Sequence, residues 1–224
     1  MIFPIGDDNI IGGHKPYISY SLIAINIFIF LYQITLNPEQ IEYLLTDLGS
    51  IPYEIVHGQD LHTLVSSMFL HGGLFHLLGN MLFLWIFADN IEAVVGSTIF
   101  AIFYFFGGLF ASFVHIITDL DSIIPTVGAS GAISAVMGAY LIMFPKSRIK
   151  ILFIIKTFYV SAFVFLGLWF LQQLVSGIGG MAPQTAEESG GVAWWAHIGG
   201  FFYGIILGYI FKQKYKHLYN YSAV

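Results

Sequence analysis

Apolar residues run along this chain in blocks of roughly 15–25, too long for the two-residue alternation of a half-exposed strand and too evenly apolar for a helix on a soluble core. Six blocks stand out, each predicted to be a transmembrane helix. Tyr17 to Leu36 ends at Asn37-Pro38, a turn former followed by a residue that cannot continue a helix. Leu74 to Ile91 closes near Asp89, Asn90 and Glu92, and Thr98 to Thr118 carries Gly107-Gly108 at its middle and His115 near its end. Ser130 to Pro145 is followed by a basic turn of Lys146, Arg148 and Lys150. Ile151 to Val175 is dense in Phe158, Phe163, Phe165, Trp169 and Phe170, and Ala193 to Phe211 is the last. Between the first two blocks, Glu39 to Gln59 mixes acids with Ile41, Tyr43, Leu44, Leu45, Ile51, Tyr53 and Ile55, which fits short amphipathic helices lying along the interface. A glycine-rich, acidic loop, Gly177 to Gly191, precedes the sixth block.

Composition sharpens this to an all-α membrane protein. The 224 residues are 57% hydrophobic and only 9% charged, outside the range of soluble domains and enough for six spans with short loops. The expected organisation is a tail at residues 1–16, one membrane domain at 17–212 and a second tail at 213–224. There is no cysteine, which excludes a disulfide framework and a thiol nucleophile. The first sixteen residues lack the apolar core and cleavage site of a signal peptide. All eight lysines and arginines fall before span one, between spans four and five or just inside five at Lys156, and after span six. With six spans those places share one face, predicted to be cytoplasmic with both termini, in the cell (plasma) membrane.

Helix rise converts sequence distance into depth. Ser130, His197 and His76 each lie fifteen or sixteen residues before a charged residue at the inner edge (Lys146, Lys212 and Glu92), at one height of roughly 23–24 Å. Asn80 sits one turn deeper than His76 on the same face. A lone serine in a membrane helix is usually a packing residue bonded to its own backbone, and a lone histidine such as His115 is most often satisfied locally. A serine at a helix start, a histidine on a second helix and a histidine–asparagine pair on a third, all at one depth, instead favour chemistry. Ala196, Gly200, Gly204 and Gly208 recur at four-residue spacing, as do Ser130, Ser134 and Gly138, so two smooth faces are predicted to bring Ser130 to His197.

A serine hydroxyl attacks a carbonyl when a base takes its proton, so Ser130 and His197 are a candidate dyad. No acid lies at this depth, which leaves the histidine to be oriented by packing or a neutral group. The helix start at Ser130, with His76 and Asn80, supplies donors for an oxyanion, while Gly128 and Gly131 let a substrate backbone approach. Reading His71, His76 and His197 as a zinc site is weak, since there is no H-E-x-x-H pair and an i,i+5 spacing parts the first two around the helix. A small transporter lacks both an internal repeat and an intramembrane acid to carry a coupling ion.

These residues closely resemble the rhomboid intramembrane serine proteases in their compact six-span form. Gly128-Ala129-Ser130-Gly131 matches the family's G-x-S-G, Ala196-His197-Ile198-Gly199-Gly200-Phe201-Phe202-Tyr203-Gly204 its A-H-x-x-G-x-x-x-G, and His71 to Asn80 its H-x4-H-x3-N. The resemblance implies a six-helix rhomboid-like bundle with a water-accessible site below the outer surface. It implies Ser130 and His197 as the catalytic pair, with His76, Asn80, Gly128 and Ser130 at the oxyanion. It further implies cleavage of single-span membrane proteins near the outer end of their span, with no cofactor, metal or nucleic acid, and lateral entry beside span five past a gate such as Phe158, Phe163 and Trp169. The alternative within the family is a non-catalytic member that binds membrane clients; such proteins typically lack the serine or the histidine. Two positions depart from the family pattern: His62-Thr63 stands where many members carry Trp-Arg, and Ser134 where some place a tyrosine that stacks on the histidine.

Overall fold

The computed structural model describes residues 2–8, 13–179 and 192–217; Glu187 and Glu188 of the expected acidic loop and the end of the C-terminal tail lie outside them. In chain order the elements are strand β1 (Ile2–Asp7), α1 (Tyr17–Gln33), α2 (Pro38–Leu48), α3 (Pro52–Val56), α4 (Thr63–Ser66), a 3-10 turn at Ser67–Phe69, α5 (Leu74–Val95), α6 (Ser97–Thr118), α7 (Ser130–Met143), β2 (Arg148–Phe153), β3 (Lys156–Ser161), α8 (Ala162–Gly179) and α9 (Trp194–Tyr215). The fold is the expected helical membrane bundle. α5, α6, α8 and α9 are long and apolar enough to cross a membrane, and α1 and α7 are shorter apolar helices. α2 buries none of its residues, and its start is closed by a reciprocal capping box between Asn37 and Gln40.

α7 is the post around which the others stand. Its 14 residues extend only about 21 Å, less than the roughly 30 Å of a hydrocarbon core, and residues from Gly131 to Tyr140 are buried on every side. A helix that short and that enclosed begins inside the bundle, so its first residue, Ser130, does too. α9 packs against it through the small-residue stripe: a Cβ at Gly200 would lie 2.1 Å from the Gly131 carbonyl oxygen, and one at Gly204 1.9 Å from that of Ala135. Only glycine allows this approach, and the approach sets the registry that brings the N-terminal ends of α7 and α9 together.

The opposite end of the bundle is tied by polar bonds. Glu92 is fully buried on α5, yet its carboxylate accepts from the Ile18 and Ser19 amides (2.9 and 2.7 Å), the Ser19 hydroxyl (2.7 Å) and the Ser97 hydroxyl (2.5 Å). It caps the start of α1, where Pro16 has no side chain able to do so. The charge predicted to close span two is therefore satisfied within it, and α5 continues to Val95.

Span five differs most from expectation. Residues 148–161 form the hairpin β2–β3, and α8 starts only at Ala162. The stretch is rich in β-branched and aromatic residues and carries Lys150 and Lys156. A helix through it would draw Lys156 into hydrocarbon, whereas the hairpin leaves it exposed. Phe158 thus lies on β3, outside the span in which it was expected. Residues 2–7, expected as tail, add β1 as an edge strand, antiparallel to β2 with a bulge between Pro4 and Gly6. Asp7 reaches from this strand into the bundle, accepting from the Tyr140 hydroxyl on α7 and from Asn90 on α5 (2.9 Å to Asn90). Arg148 pairs with Asp8 through both Nε (3.0 Å) and Nη2 (3.2 Å).

Candidate active site

At the end away from the sheet, the starts of α5, α7 and α9 and the end of α6 surround a cavity of about 690 Å³ lined by His76, Asn80, His115, Gly128, Ser130, Trp169 and His197, among others. Ser130 Oγ and His197 Nε2 are 2.8 Å apart, the pairing predicted from depth and from the glycine stripe. Both side chains are half-buried. Ser130 opens α7, and the first intrahelical bond over it runs from the Ile133 amide to the Ala129 carbonyl at 3.0 Å. The amides at this helix start therefore face the cavity end without an intrahelical partner. Ser134 spends its hydroxyl on the Ser130 carbonyl at 2.7 Å, so it takes no part in holding His197.

His76 and Asn80 come to the same place from α5. A Cβ at Gly128 would stand 2.8 Å from His76 Nε2 and 3.6 Å from Asn80 Nδ2, and Gly128 itself has φ +128, so glycine is required there both by conformation and by space. The amide of Gly128 is not a free donor, because it bonds the Ser67 carbonyl at 2.9 Å. The expectation that Gly128 adds to an oxyanion site is corrected accordingly: it makes room for His76 and Asn80. Gly131 likewise serves packing, since a Cβ there would come within 2.7 Å of Ala111 on α6.

These groups are held in place by Gln33, Gln173 and Trp194, to which the sequence assigned no role, and by His71 and Trp169, for which it suggested other ones. His71 is buried, and its Nε2 lies 2.9 Å from Asn80 Nδ2. An aromatic nitrogen can accept only if it is unprotonated, so one amide hydrogen of Asn80 is fixed on His71 and the other is left for the cavity. His71 in turn is clamped by buried Gln33 on α1, which donates to its carbonyl (3.0 Å) and accepts from its amide (3.1 Å). Gln173 on α8 is buried with its Oε1 2.8 Å from His197 Nδ1. Trp169 lies beside the same imidazole, ring centroids 5.9 Å apart, and Trp194 meets it edge-on at 6.2 Å. The signal for Gln33 and Gln173 was present: each is an amide inside an apolar block, where a polar group without a partner is costly. With His197 bonded at both nitrogens and His71 Nε2 bonded to Asn80, the three histidines do not converge on one point.

Of the three proposed gate residues, only Trp169 lines the cavity. Phe163 is exposed in the first turn of α8, at the sheet end of the helix, and Phe158 is in the sheet.

A family model described as Rhomboid domain matches residues 58–214. The chain belongs to the rhomboid family. The rhomboid relatives include the yeast (Saccharomyces cerevisiae) Rhomboid protein 1, mitochondrial, 28% identical over 210 residues, which is 91% of this chain and 56% of that protein. The Rhomboid protease GluP of Bacillus subtilis is 30% identical over 195 residues, 87% of this chain and 35% of its own length. The bovine Presenilin-associated rhomboid-like protein, mitochondrial, is 30% identical over 137 residues, 59% of this chain and 34% of that protein. This rhomboid chain thus spans between about a third and somewhat more than half of the length of these curated relatives. One relative is named as a protease and two as mitochondrial proteins.

Proposed function

We propose that this protein is an intramembrane serine endopeptidase that cuts single-span membrane proteins near one end of their span, with Ser130 as nucleophile and His197 as general base. The observation that carries the reading is the 2.8 Å contact between Ser130 Oγ and His197 Nε2 at the wall of a cavity large enough for several residues of extended peptide. In this reading Ser130 Oγ attacks the scissile carbonyl carbon as its proton passes to His197 Nε2. The carbonyl π electrons move onto oxygen, where the free hydrogen of the Asn80 amide, His76 and the amides opening α7 stabilise the charge. His197 then gives its proton to the departing amine, leaving an acyl-Ser130 that water, deprotonated by the same histidine, hydrolyses.

Orientation follows from charge. Every lysine and arginine lies at or beyond the sheet end, while the loops at the cavity end carry Glu39, Glu42, Asp47, Glu54, Asp60, Asp119 and Asp121. That asymmetry supports both termini on the cytoplasmic side and the cavity toward the outer side, in the cell (plasma) membrane of this proposal.

The test is cleavage of a single-span reporter by purified protein in detergent and in liposomes, comparing wild type with Ser130→Ala and His197→Ala at equal folded yield. Cleavage by wild type alone supports the dyad, as does labelling of Ser130 by a fluorophosphonate. Cleavage that survives either substitution rejects it, and wild type that neither cuts nor labels favours a client-binding rhomboid without protease activity.

A further inference from the structure

α8 is held to the bundle by a single narrow stripe. Its buried residues are Ala162, Leu166, Gln173 and Gly177, and most of the rest of its surface is exposed or half-exposed. Gln173 is the one polar member of that stripe and is only 3% exposed. Both ends of its amide are engaged: Nε2 donates to the Trp169 carbonyl at 3.3 Å, and Oε1 faces His197 Nδ1 at 2.8 Å.

The chemistry of these groups leaves one arrangement. A backbone carbonyl can only accept, so the NH2 of Gln173 must point at Trp169 and its oxygen at His197. That oxygen can also only accept, so the proton of the neutral imidazole sits on Nδ1. Nε2 is then unprotonated, and its bond to Ser130 Oγ runs from the hydroxyl to the nitrogen, the direction a general base needs. The opposite tautomer would place a hydrogen on Nε2 and block proton removal from the serine. Among the described residues no carboxylate bonds His197, so the Gln173 amide supplies the hydrogen bond that fixes its tautomer.

Resting on the endopeptidase reading, we infer that Gln173 is the positioning residue of His197, and that its place on α8 makes the base competent only while α8 is docked on α9. The docking contacts lie along the same stripe. Phe170 stacks on Phe201 with ring centroids 4.5 Å apart, and a Cβ at Gly177 would come within 3.0 Å of Ile198 Cδ1. When α8 separates from α9, Nδ1 loses its acceptor and the tautomer is no longer held. A glutamine buried merely to satisfy its own amide would not produce that dependence.

The experiment uses the full chain in detergent with 15N-labelled histidine. Gln173→Met keeps length and volume but removes the acceptor; Gln173→Glu restores an acceptor at the same reach. Imidazole 15N shifts, assigned to His197 by their loss in His197→Ala, report the tautomer. Gln173→Met is expected to lower kcat and the fluorophosphonate labelling rate about ten- to hundredfold with KM within about threefold, and to mix the two tautomers. Gln173→Glu is expected to recover most of kcat. Gly177→Val touches neither Ser130 nor His197 and is expected to mix the tautomers as well, by wedging α8 from α9. If Gln173→Met does not fold, Gln173→Asn, which is too short to reach, carries the same expectations. Wild-type kcat and tautomer in the acceptor-free variant would overturn the inference, and so would a glutamate variant as slow as the methionine one. An unchanged tautomer in Gly177→Val would overturn its docking half. Should wild type neither cleave nor label, the endopeptidase reading fails, while the tautomer of Gln173→Met still decides whether Gln173 holds His197.

Discussion

The two ends of the bundle bury polar groups in opposite ways. At the sheet end, Glu92, Ser19, Asp7, Asn90 and Tyr140 bond to one another and to backbone amides, and what they join are different elements: α1 to α5 and α6, and β1 to α5 and α7. At the cavity end, Ser130, His76 and one hydrogen of Asn80 face open space, and the polar groups around them, Gln33, His71 and Gln173, bond chiefly to hold them in position. A buried polar group stabilises only when its capacity is filled; one left partly unfilled costs stability and is retained for what it can do to a ligand. The sheet end is thus expected to govern stability, and the cavity end activity.

The sharpest way to break this contrast is to strip each end in turn. Ser130→Ala or His197→Ala is expected to cut reporter cleavage by a factor on the order of a thousand or more, with Ser130→Ala within about 1 kcal/mol of wild-type stability. Glu92→Ala is expected to do the reverse. It orphans two α1 amides and two hydroxyls, a loss on the order of 3–5 kcal/mol, while the fraction that remains folded keeps a near-normal kcat. Thermal unfolding in detergent and initial rates normalised to folded protein separate the two. A Glu92→Ala protein of unchanged stability, or a Ser130→Ala protein that unfolds far more easily, would show that the two ends do not divide their labour this way.

The cavity end was more legible in the sequence than the sheet end, for a physical reason. Ser130, His197, His76 and Asn80 stand out because polarity inside an apolar run is rare, and helix rise alone places them at one depth. Gln33 and Gln173 obey the same rule but lie near the ends of their blocks, where an amide reads as the edge of a span. Their partners, a histidine backbone and an imidazole on another helix, are 38 and 24 residues away and can be found only by folding. The β2–β3 hairpin was hidden because its apolar content matches that of a helix over so short a stretch, and periodicity does not separate the two there. What distinguishes it is Lys156, a charge inside an otherwise apolar block.

A smaller effect is expected within the cavity end itself. Asn80→Ala removes an oxyanion donor and leaves His71 Nε2 without its bond, for a loss in kcat of about a hundredfold. His71→Phe keeps the buried ring but frees the Asn80 amide to rotate, and should cost only about tenfold, through kcat more than KM. If the two variants lose equally, Asn80 acts through His71 rather than on substrate.

The smallest effect tests whether the sheet end is wholly structural. Burial raises the Asp7 carboxyl from its ordinary 3.8 to about 7, with the charges of Asp89 and Asp8 adding to the rise and the bonds from Tyr140 and Asn90 opposing it. Because the native value lies above the unfolded one, the folded protein holds this proton more tightly. The stability it contributes is fully present below about pH 4 and is lost as pH climbs through 7. Discounted for partial exposure, the change is on the order of 1–3 kcal/mol. Asp7→Asn fixes the side chain in an uncharged form and should flatten the apparent Tm between pH 5 and pH 8, raising it at pH 8 relative to wild type. Equal slopes in wild type and variant would mean that Asp7 ionises as freely as a surface carboxylate. The clasp between β1 and the bundle would then draw nothing from that proton.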